Sequence, residues 1–287
     1  MSAELGAVLV PMVTPFDASG RVDEEAAARL MHHLLDHGAD GLVMCGTTGE
    51  AATLSDQEQL GVIGLAVREA GDRATIVAGA GSNDTRHAVE LTERVTELGV
   101  DAVLSVNPYY NRPSRRGIVR HFEEVSRATD KPIVLYNIPL RTGSDMPNDL
   151  LAELAQLEHV EAVKQSNPDN LAKIDGLQIY AGNDDLLADV LDLGEPGGIL
   201  VAAHLFGEEL RRMVDEPDQR REIDASLRDV YRDLGVAPLA CSTKAALNMI
   251  GLSVGSPRLP YVELDEQELG VIRAMLERHG LLQPLTA

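Results

Sequence analysis

Residues 41–79 read GLVMCGTTGEAATLSDQEQLGVIGLAVREAGDRATIVAG. Gly41–Cys45 and Thr75–Gly79 are short apolar runs. Between them Ser55 and Glu58 form the Ser-x-x-Glu pair that opens helices, because each side chain satisfies a backbone N–H of the first turn. Leu60, Ile63 and Val67 then follow at helical spacing. The order is strand, helix, strand. Neither strand alternates polar with apolar residues, which is the composition of strands buried on both faces of a parallel sheet. The same unit recurs on both sides of this stretch. Ala7–Pro15, Ala102–Val106, Pro132–Asn137, Val160–Lys164, Leu177–Ala181 and Gly198–Ala202 read as further strands, and Val89, Val95 and Leu98 after Asp84 mark another helix. Eight strands, each followed by a helical stretch, predict an α/β fold of the (β/α)8 TIM-barrel type. An open doubly wound sheet is the alternative. Residues 1–205 are assigned to the barrel and residues 206–287 to a C-terminal helical extension packed on it.

Composition narrows the class. The chain has 287 residues, and its 46 acidic and 25 basic side chains give a net charge of −21. Nucleic acid and anionic membrane select for basic surface, so neither is an expected partner; a small anion held by a few local donors remains compatible. Two cysteines, Cys45 and Cys241, cannot build a disulfide framework, which fits a cytoplasmic setting. The N-terminal run lacks the basic start of a signal peptide and is broken by Pro11. The apolar run from Gly197 to Gly207 is about half a bilayer span and contains His204.

In a barrel of this kind chemistry collects where the strands end. The polar residues found there are Gly46-Thr47-Thr48-Gly49-Glu50, Asn107-Pro108-Tyr109-Tyr110-Asn111-Arg112, Tyr136-Asn137 with Pro139 and Arg141, Lys164, and Gly182-Asn183-Asp184. The chain has only four lysines: Lys131, Lys164, Lys173 and Lys244. Lys164 alone follows an apolar strand and points toward the mouth. A desolvated amine gives up its proton more readily and then attacks carbonyls; an ion-paired lysine at a strand end fits the same pattern. With no tryptophan and six tyrosines in the chain, three (Tyr109, Tyr110, Tyr136) fall on two adjacent mouth segments. A phenol ordered by a neighbouring hydroxyl, such as that of Thr47 or Thr48, shuttles protons; rim packing is the other reading. Gly46–Gly49 has the composition of an anion-binding turn. Gly79-Ala80-Gly81 is not a dinucleotide turn, since Asp84 takes the place of the third glycine. His33 and His37, four apart on a helix, have no third ligand to make them a metal site.

Taken together, Gly46-Thr47-Thr48-Gly49-Glu50, Asn107–Pro113, Tyr136–Gly143 and Val163-Lys164, in this order and spacing, resemble the dihydrodipicolinate synthase / N-acetylneuraminate lyase family of pyruvate-dependent class I aldolases, over essentially the whole chain. The resemblance implies a (β/α)8 barrel with a helical C-terminal extension, a homotetramer of tight dimers, and no metal or organic cofactor. It implies that Lys164 forms a Schiff base with pyruvate. Tyr136 would pass protons at that centre with Thr47 and Tyr110 as relay partners, Tyr110 reaching into the neighbouring subunit's site. Thr48 would bind the pyruvate carboxylate, and the backbone at Gly182 and Ile199 would line the pocket. Arg141 stands where the dihydrodipicolinate synthase branch grips the carboxylate of L-aspartate semialdehyde, and a bidentate guanidinium suits that group. The expected reaction is therefore formation of 4-hydroxy-tetrahydrodipicolinate, a lyase step of lysine and diaminopimelate biosynthesis. A related aldolase acting on a sugar acid or other 2-oxo acid, and a non-enzymatic binding scaffold, are the alternatives.

The chain departs from the family pattern in four places. Gln165-Ser166 replaces an acidic residue after the lysine, the stretch from Lys164 to Gly182 is short, Leu200 replaces a common serine, and Pro238–Lys244 replaces a more proline-rich motif. In lysine-inhibited members L-lysine binds at the dimer interface. Tyr109 and Asn83 match two of the positions involved, but the acidic one is His87, with Asp56 and Gln59 at the neighbouring loop positions. The expected response to L-lysine is weak or absent.

Overall fold

Eight parallel strands hydrogen-bond in chain order and close on themselves: β1 (Val8–Pro11), β2 (Gly41–Met44), β3 (Thr75–Gly79), β4 (Ala102–Val106), β5 (Ile133–Asn137), β6 (Val160–Gln165), β7 (Gln178–Ala181) and β8 (Gly197–Ile199). The computed structural model describes residues 4–282; residues 1–3 and 283–287, the outer ends of the two expected segments, lie outside the described residues. Pairing of Val8 with Gly198 and of Leu9 with Ile199 closes the ring, which settles the architecture as a barrel rather than an open sheet. The first and last strands are shorter than expected. After Pro11 the chain is held by other means: Met12 N–H donates to Val43 O, and Val13 N–H donates to Nε2 of buried His204. The other ring nitrogen of His204 bonds Val201 O, and burial pushes this histidine down to about 4, so it serves as a neutral clasp.

Helices α1 (Glu24–Asp36), α2 (Asp56–Ala70), α3 (Thr85–Glu97) and α4 (Arg115–Arg127) separate the first five strands. Asp23, Ser55, Asp84 and Ser114 cap them by accepting first-turn N–H groups, and Ser55 with Glu58 makes the full capping box. α5 (Pro139–Thr142) and α6 (Asn148–Leu154) join β5 to β6, α7 (Leu187–Asp192) precedes β8, and α8 (Ala203–Asp215) follows it. The β6–β7 connection departs from the expected pattern, carrying only a 3-10 turn at Pro168–Asn170 and an Ile174–Leu177 bridge. Length explains it. Retracing β6 means covering about 20 Å, which takes about 13 helical residues, and the connection from Ser166 to Leu177 is too short for that plus two turns.

The extension consists of α9 (Arg220–Leu234), α10 (Leu239–Met249) and α11 (Glu266–Arg278). The boundary expected after residue 205 falls inside α8, at a kink where Phe206 leaves helical dihedrals. α8 as a whole packs on β1 and α1 and belongs to the barrel wall.

Strand parity divides the core in two. Leu9, Val43, Val77, Leu104, Val134, Ala162 and Ile199 fill the barrel interior, while their neighbours Val8, Val10, Leu42, Met44, Val103, Ile133 and Val163 pack outward under the helices. At the opposite end from the mouth, acidic residues hold the strand starts. Asp40 accepts the N–H groups of Ala7 and Val8, Asp101 that of Ile76, and Glu195 that of Ile179. No helix among the described residues is long and apolar enough to cross a membrane.

The seam between β8 and β1 is a very tight backbone approach. A Cβ on Gly197 would lie 1.9 Å from Ala7 O. Gly197→Ala should therefore lower the urea midpoint by an amount equivalent to about 1–3 kcal/mol, the usual cost of overpacking. An unchanged midpoint would show that the seam is looser than its geometry.

Candidate active site

Parity also decides where the chemistry points. In β6 Ala162 faces inward and Val163 outward, so Lys164 faces inward, and in β5 the same count turns Val134 and Tyr136 inward. The two strands pair in a register that sets Tyr136 beside Lys164. Lys164 is 5% exposed, and its Nζ lies 4.5 Å from the centre of the Tyr136 ring. The ring face stabilises a cation without pairing it to a carboxylate. Among the described residues no carboxylate lies within ion-pair distance of Lys164, which removes the ion-paired reading of this lysine.

The next residues of the two strands, Asn137 and Gln165, face the other way and form a polar network. Asn137 Nδ2 donates to Gln165 Oε1 at 3.0 Å and to Asp145 Oδ1 at 2.8 Å, and Asn137 Oδ1 accepts from Met146 N–H. Gln165, at the position where an acidic residue is common, links β6 to Asn137 of β5, which in turn holds the loop before α6. Gly182 follows β7, and its N–H donates to Gln165 O at 2.8 Å. A Cβ there would strike Ser166 Oγ at 2.1 Å, so only glycine allows the approach. Ile199 ends β8 fully buried in the interior.

The turn after β2 supplies the opposite wall. Cys45 takes a left-handed φ of 55°, Glu50 N–H closes onto Thr47 O at 3.1 Å, and Thr14 Oγ1 donates to Gly49 O at 2.6 Å. This leaves Thr48 buried and Thr47 exposed. Arg141 sits on α5 with its side chain exposed, and no carboxylate among the described residues pairs with it. Tyr110 is farthest from the interior. Its backbone is left-handed, its N–H donates to Thr142 O, and its ring is 89% exposed. Within one chain the geometry brings Tyr136 to Lys164 and leaves Tyr110 facing outward.

The comparisons agree with this geometry. The model of the dihydrodipicolinate synthetase family matches residues 4–279. The chain belongs to that family. A 4-hydroxy-tetrahydrodipicolinate synthase of Desulforudis audaxviator (strain MP104C) is 39% identical over 98% of this chain and 100% of its own. One from a Synechococcus strain is 40% identical over 96% and 94%. Among solved structures, the dihydrodipicolinate synthase of Cyanidioschyzon merolae, described with lysine bound, superposes with a TM-score of 0.93 at 34% identity, covering 97% of this chain and 99% of that one.

Within this family framework the residues compared with the lysine-inhibited members form one cluster. Asn83 Nδ2 donates to Tyr109 O, and Asn111 Nδ2 donates to Asn83 O. His87 Nε2 lies 3.1 Å from Asp56 Oδ1, and Arg94 lies 3.8 Å from the other oxygen. Gln59 is turned inward, donating to Ala51 O and Leu54 O. Asp56 is already engaged by two basic side chains and Gln59 is buried, so neither offers a free partner to an ammonium ion.

Asp184 is the titratable residue that sequence reading recorded at a strand end but gave no role. Its Oδ1 accepts Ala202 N–H at 3.0 Å, fixing the β8 exit. Burial raises its carboxyl to about 6, against the pull of that N–H and of the Lys164 charge. Between about 4 and 6 the folded chain keeps a proton that the unfolded chain releases, so this group's contribution to stability falls as pH rises through that window. Asp184→Asn should flatten the wild-type decline in melting temperature between pH 4 and 6. Identical slopes would place the carboxyl in water.

Proposed function

We propose that this chain is a class I aldolase-type lyase that condenses pyruvate with L-aspartate semialdehyde to form 4-hydroxy-tetrahydrodipicolinate, in lysine and diaminopimelate biosynthesis. The observation that carries the reading is Lys164, inward-facing and buried at the end of β6 with no carboxylate partner, against the Tyr136 ring. The Lys164 amine adds to the keto carbon of pyruvate and water leaves, giving an imine. The imine draws electrons from the methyl carbon, which loses a proton and attacks the aldehyde as an enamine, and the alkoxide that forms takes up a proton. The amino group of the semialdehyde then adds to the regenerated imine carbon and displaces the Lys164 amine, which closes the ring. The imine is itself the electron sink, so the step needs no metal or organic cofactor.

The remaining roles are those the resemblance implies, and placement supports them. Tyr136 shares a register position with Lys164 and carries a phenol to the reacting centre. Thr47, Thr48 and the N–H groups of their turn face the same mouth, with Thr48 on the pyruvate carboxylate and Thr47 in the proton relay. Gly182 and Ile199 line the pocket with backbone. Unpaired Arg141 is free to receive the carboxylate of the aldehyde. Tyr110 completes the relay from a second copy of the chain, and the exposed rings of Tyr109 and Tyr110 beside exposed Leu140 suit a dimer contact. A homotetramer of such dimers in the cytoplasm, free of nucleic acid and membrane, is the assembly we assign.

Borohydride reduction with pyruvate should add one pyruvyl group, on Lys164; label elsewhere, or none, would overturn the mechanism. Tyr136→Phe and Arg141→Ala should fail differently. The first should lose about 100-fold or more in turnover with the fold intact. The second should raise the KM for the aldehyde and leave pyruvate trapping unaffected, and loss of trapping would assign the guanidinium to the other substrate. A panel of aldehydes separates the sugar-acid reading, since a carboxylate-terminated semialdehyde should win. Millimolar L-lysine should inhibit weakly or not at all, and strong saturable inhibition would show an acidic partner other than the one His87 replaces.

A further inference from the structure

Glu50, the last residue of the turn that carries Thr47 and Thr48, is completely buried, and so is Lys244 on α10. Lys244 Nζ meets Glu50 Oε1 at 2.6 Å, with side-chain exposures of 1% and 0%. The other carboxylate oxygen accepts the backbone N–H of Arg258 at 2.9 Å. The Phe16 ring lies between the two cations, 4.0 Å from Lys244 Nζ and 4.3 Å from the Arg258 guanidinium. Arg258 is fixed in turn by Gly20 O, Thr53 O and Glu58. Lys244 also donates to Ser256 O at 3.2 Å. The helical extension therefore grips the end of a substrate-facing turn.

Glu50 is not simply near the turn. It has a left-handed φ of 57° and closes the turn through its N–H on Thr47 O. One residue earlier Gly49 O is held by Thr14, which lies two residues before Phe16. The two residues that follow Thr48 are thus both anchored, Gly49 to the barrel and Glu50 to α10. A turn that binds a carboxylate through N–H and hydroxyl groups works only if those donors are already aimed, because donors that must be ordered on binding lose affinity.

We propose that Glu50 and Lys244 are positioning residues for the pyruvate carboxylate: their buried ion pair lets the C-terminal extension set the aim of Thr47 and Thr48. This rests on the Schiff-base reading above, and the test keeps the two apart. The variants are Lys244→Met and the charge-free double variant Glu50→Gln/Lys244→Met, whose amide oxygen still accepts from Arg258. Stranding one buried charge is strongly destabilising, so the double variant carries the test if Lys244→Met does not fold. The readouts are the pyruvate concentration for half-maximal borohydride trapping, the KM for each substrate, and the melting temperature.

In folded double variant the pyruvate requirement should rise at least about ten-fold while the aldehyde KM moves less than about two-fold, since Arg141 stands on a different segment. Trapping with wild-type pyruvate dependence would overturn the inference and leave the Schiff-base reading standing. A parallel rise in both KM values would overturn it too, as general loosening. Absence of trapping in the wild type would overturn the functional reading, and this inference with it.

Discussion

Closure of the sheet is the constraint on which everything else here rests. A parallel barrel has no free edge, so every strand must meet two neighbours, and the last must meet the first. The meeting of β8 with β1 rests on two register pairs and a glycine pressed against Ala7. Once the ring closes, strand parity leaves little freedom. Inward residues stack as a dry interior, outward ones lie under helices, and all eight C-terminal ends share one rim. Lys164 reaches Tyr136 because β5 and β6 stay in register from Val134 onward, after a one-residue shift at Ile133–Val134. A further slip of either strand would turn its residue to the other face.

The protein then manages buried charge in three distinct ways. Lys164 is given an aromatic face and, among the described residues, no carboxylate within ion-pair distance. Asp184 is given a backbone N–H, and burial raises its carboxyl to about 6. Glu50 and Lys244 are given each other, with Arg258 and Phe16 completing the shell. The three environments differ in which partner each side chain finds.

Much of this was legible in the sequence because it is local. The apolar runs gave β3 and β4 to the residue, and the Ser55–Glu58 pair gave the start of α2. β1 and β8 were overestimated because Met12–Pro15 and Leu200–Ala202 are as apolar as strands, while clasps on His204 and Asp184 decide where pairing stops. The absent helix between β6 and β7 was visible only as a short spacing. Lys164, Tyr136 and the Gly46–Glu50 turn could be found because strand ends are where unusual residues stand out. Lys244 could not. In sequence it is a polar residue on a late helix, and its burial depends on a carboxylate and an aromatic ring from the opposite end of the chain. Asp56 and His87 illustrate the same difficulty: nothing in their sequence positions shows that they pair.

The link between Glu50 and the extension also bears on how the chain matures. The hydrogen bond from Arg258 to Glu50 spans 208 positions, a separation at which closing the loop is entropically costly and slow. During synthesis the first strands emerge long before α10 does. The turn bearing Thr47 and Thr48 can sit on its strand early, yet Glu50 has no cation to bury against until residues 244–258 leave the ribosome. A chain interrupted before that point holds Lys164, Tyr136 and Arg141 complete while a carboxylate remains exposed in place of the anchor. The anchor of this turn is thus among the last contacts that the chain can form.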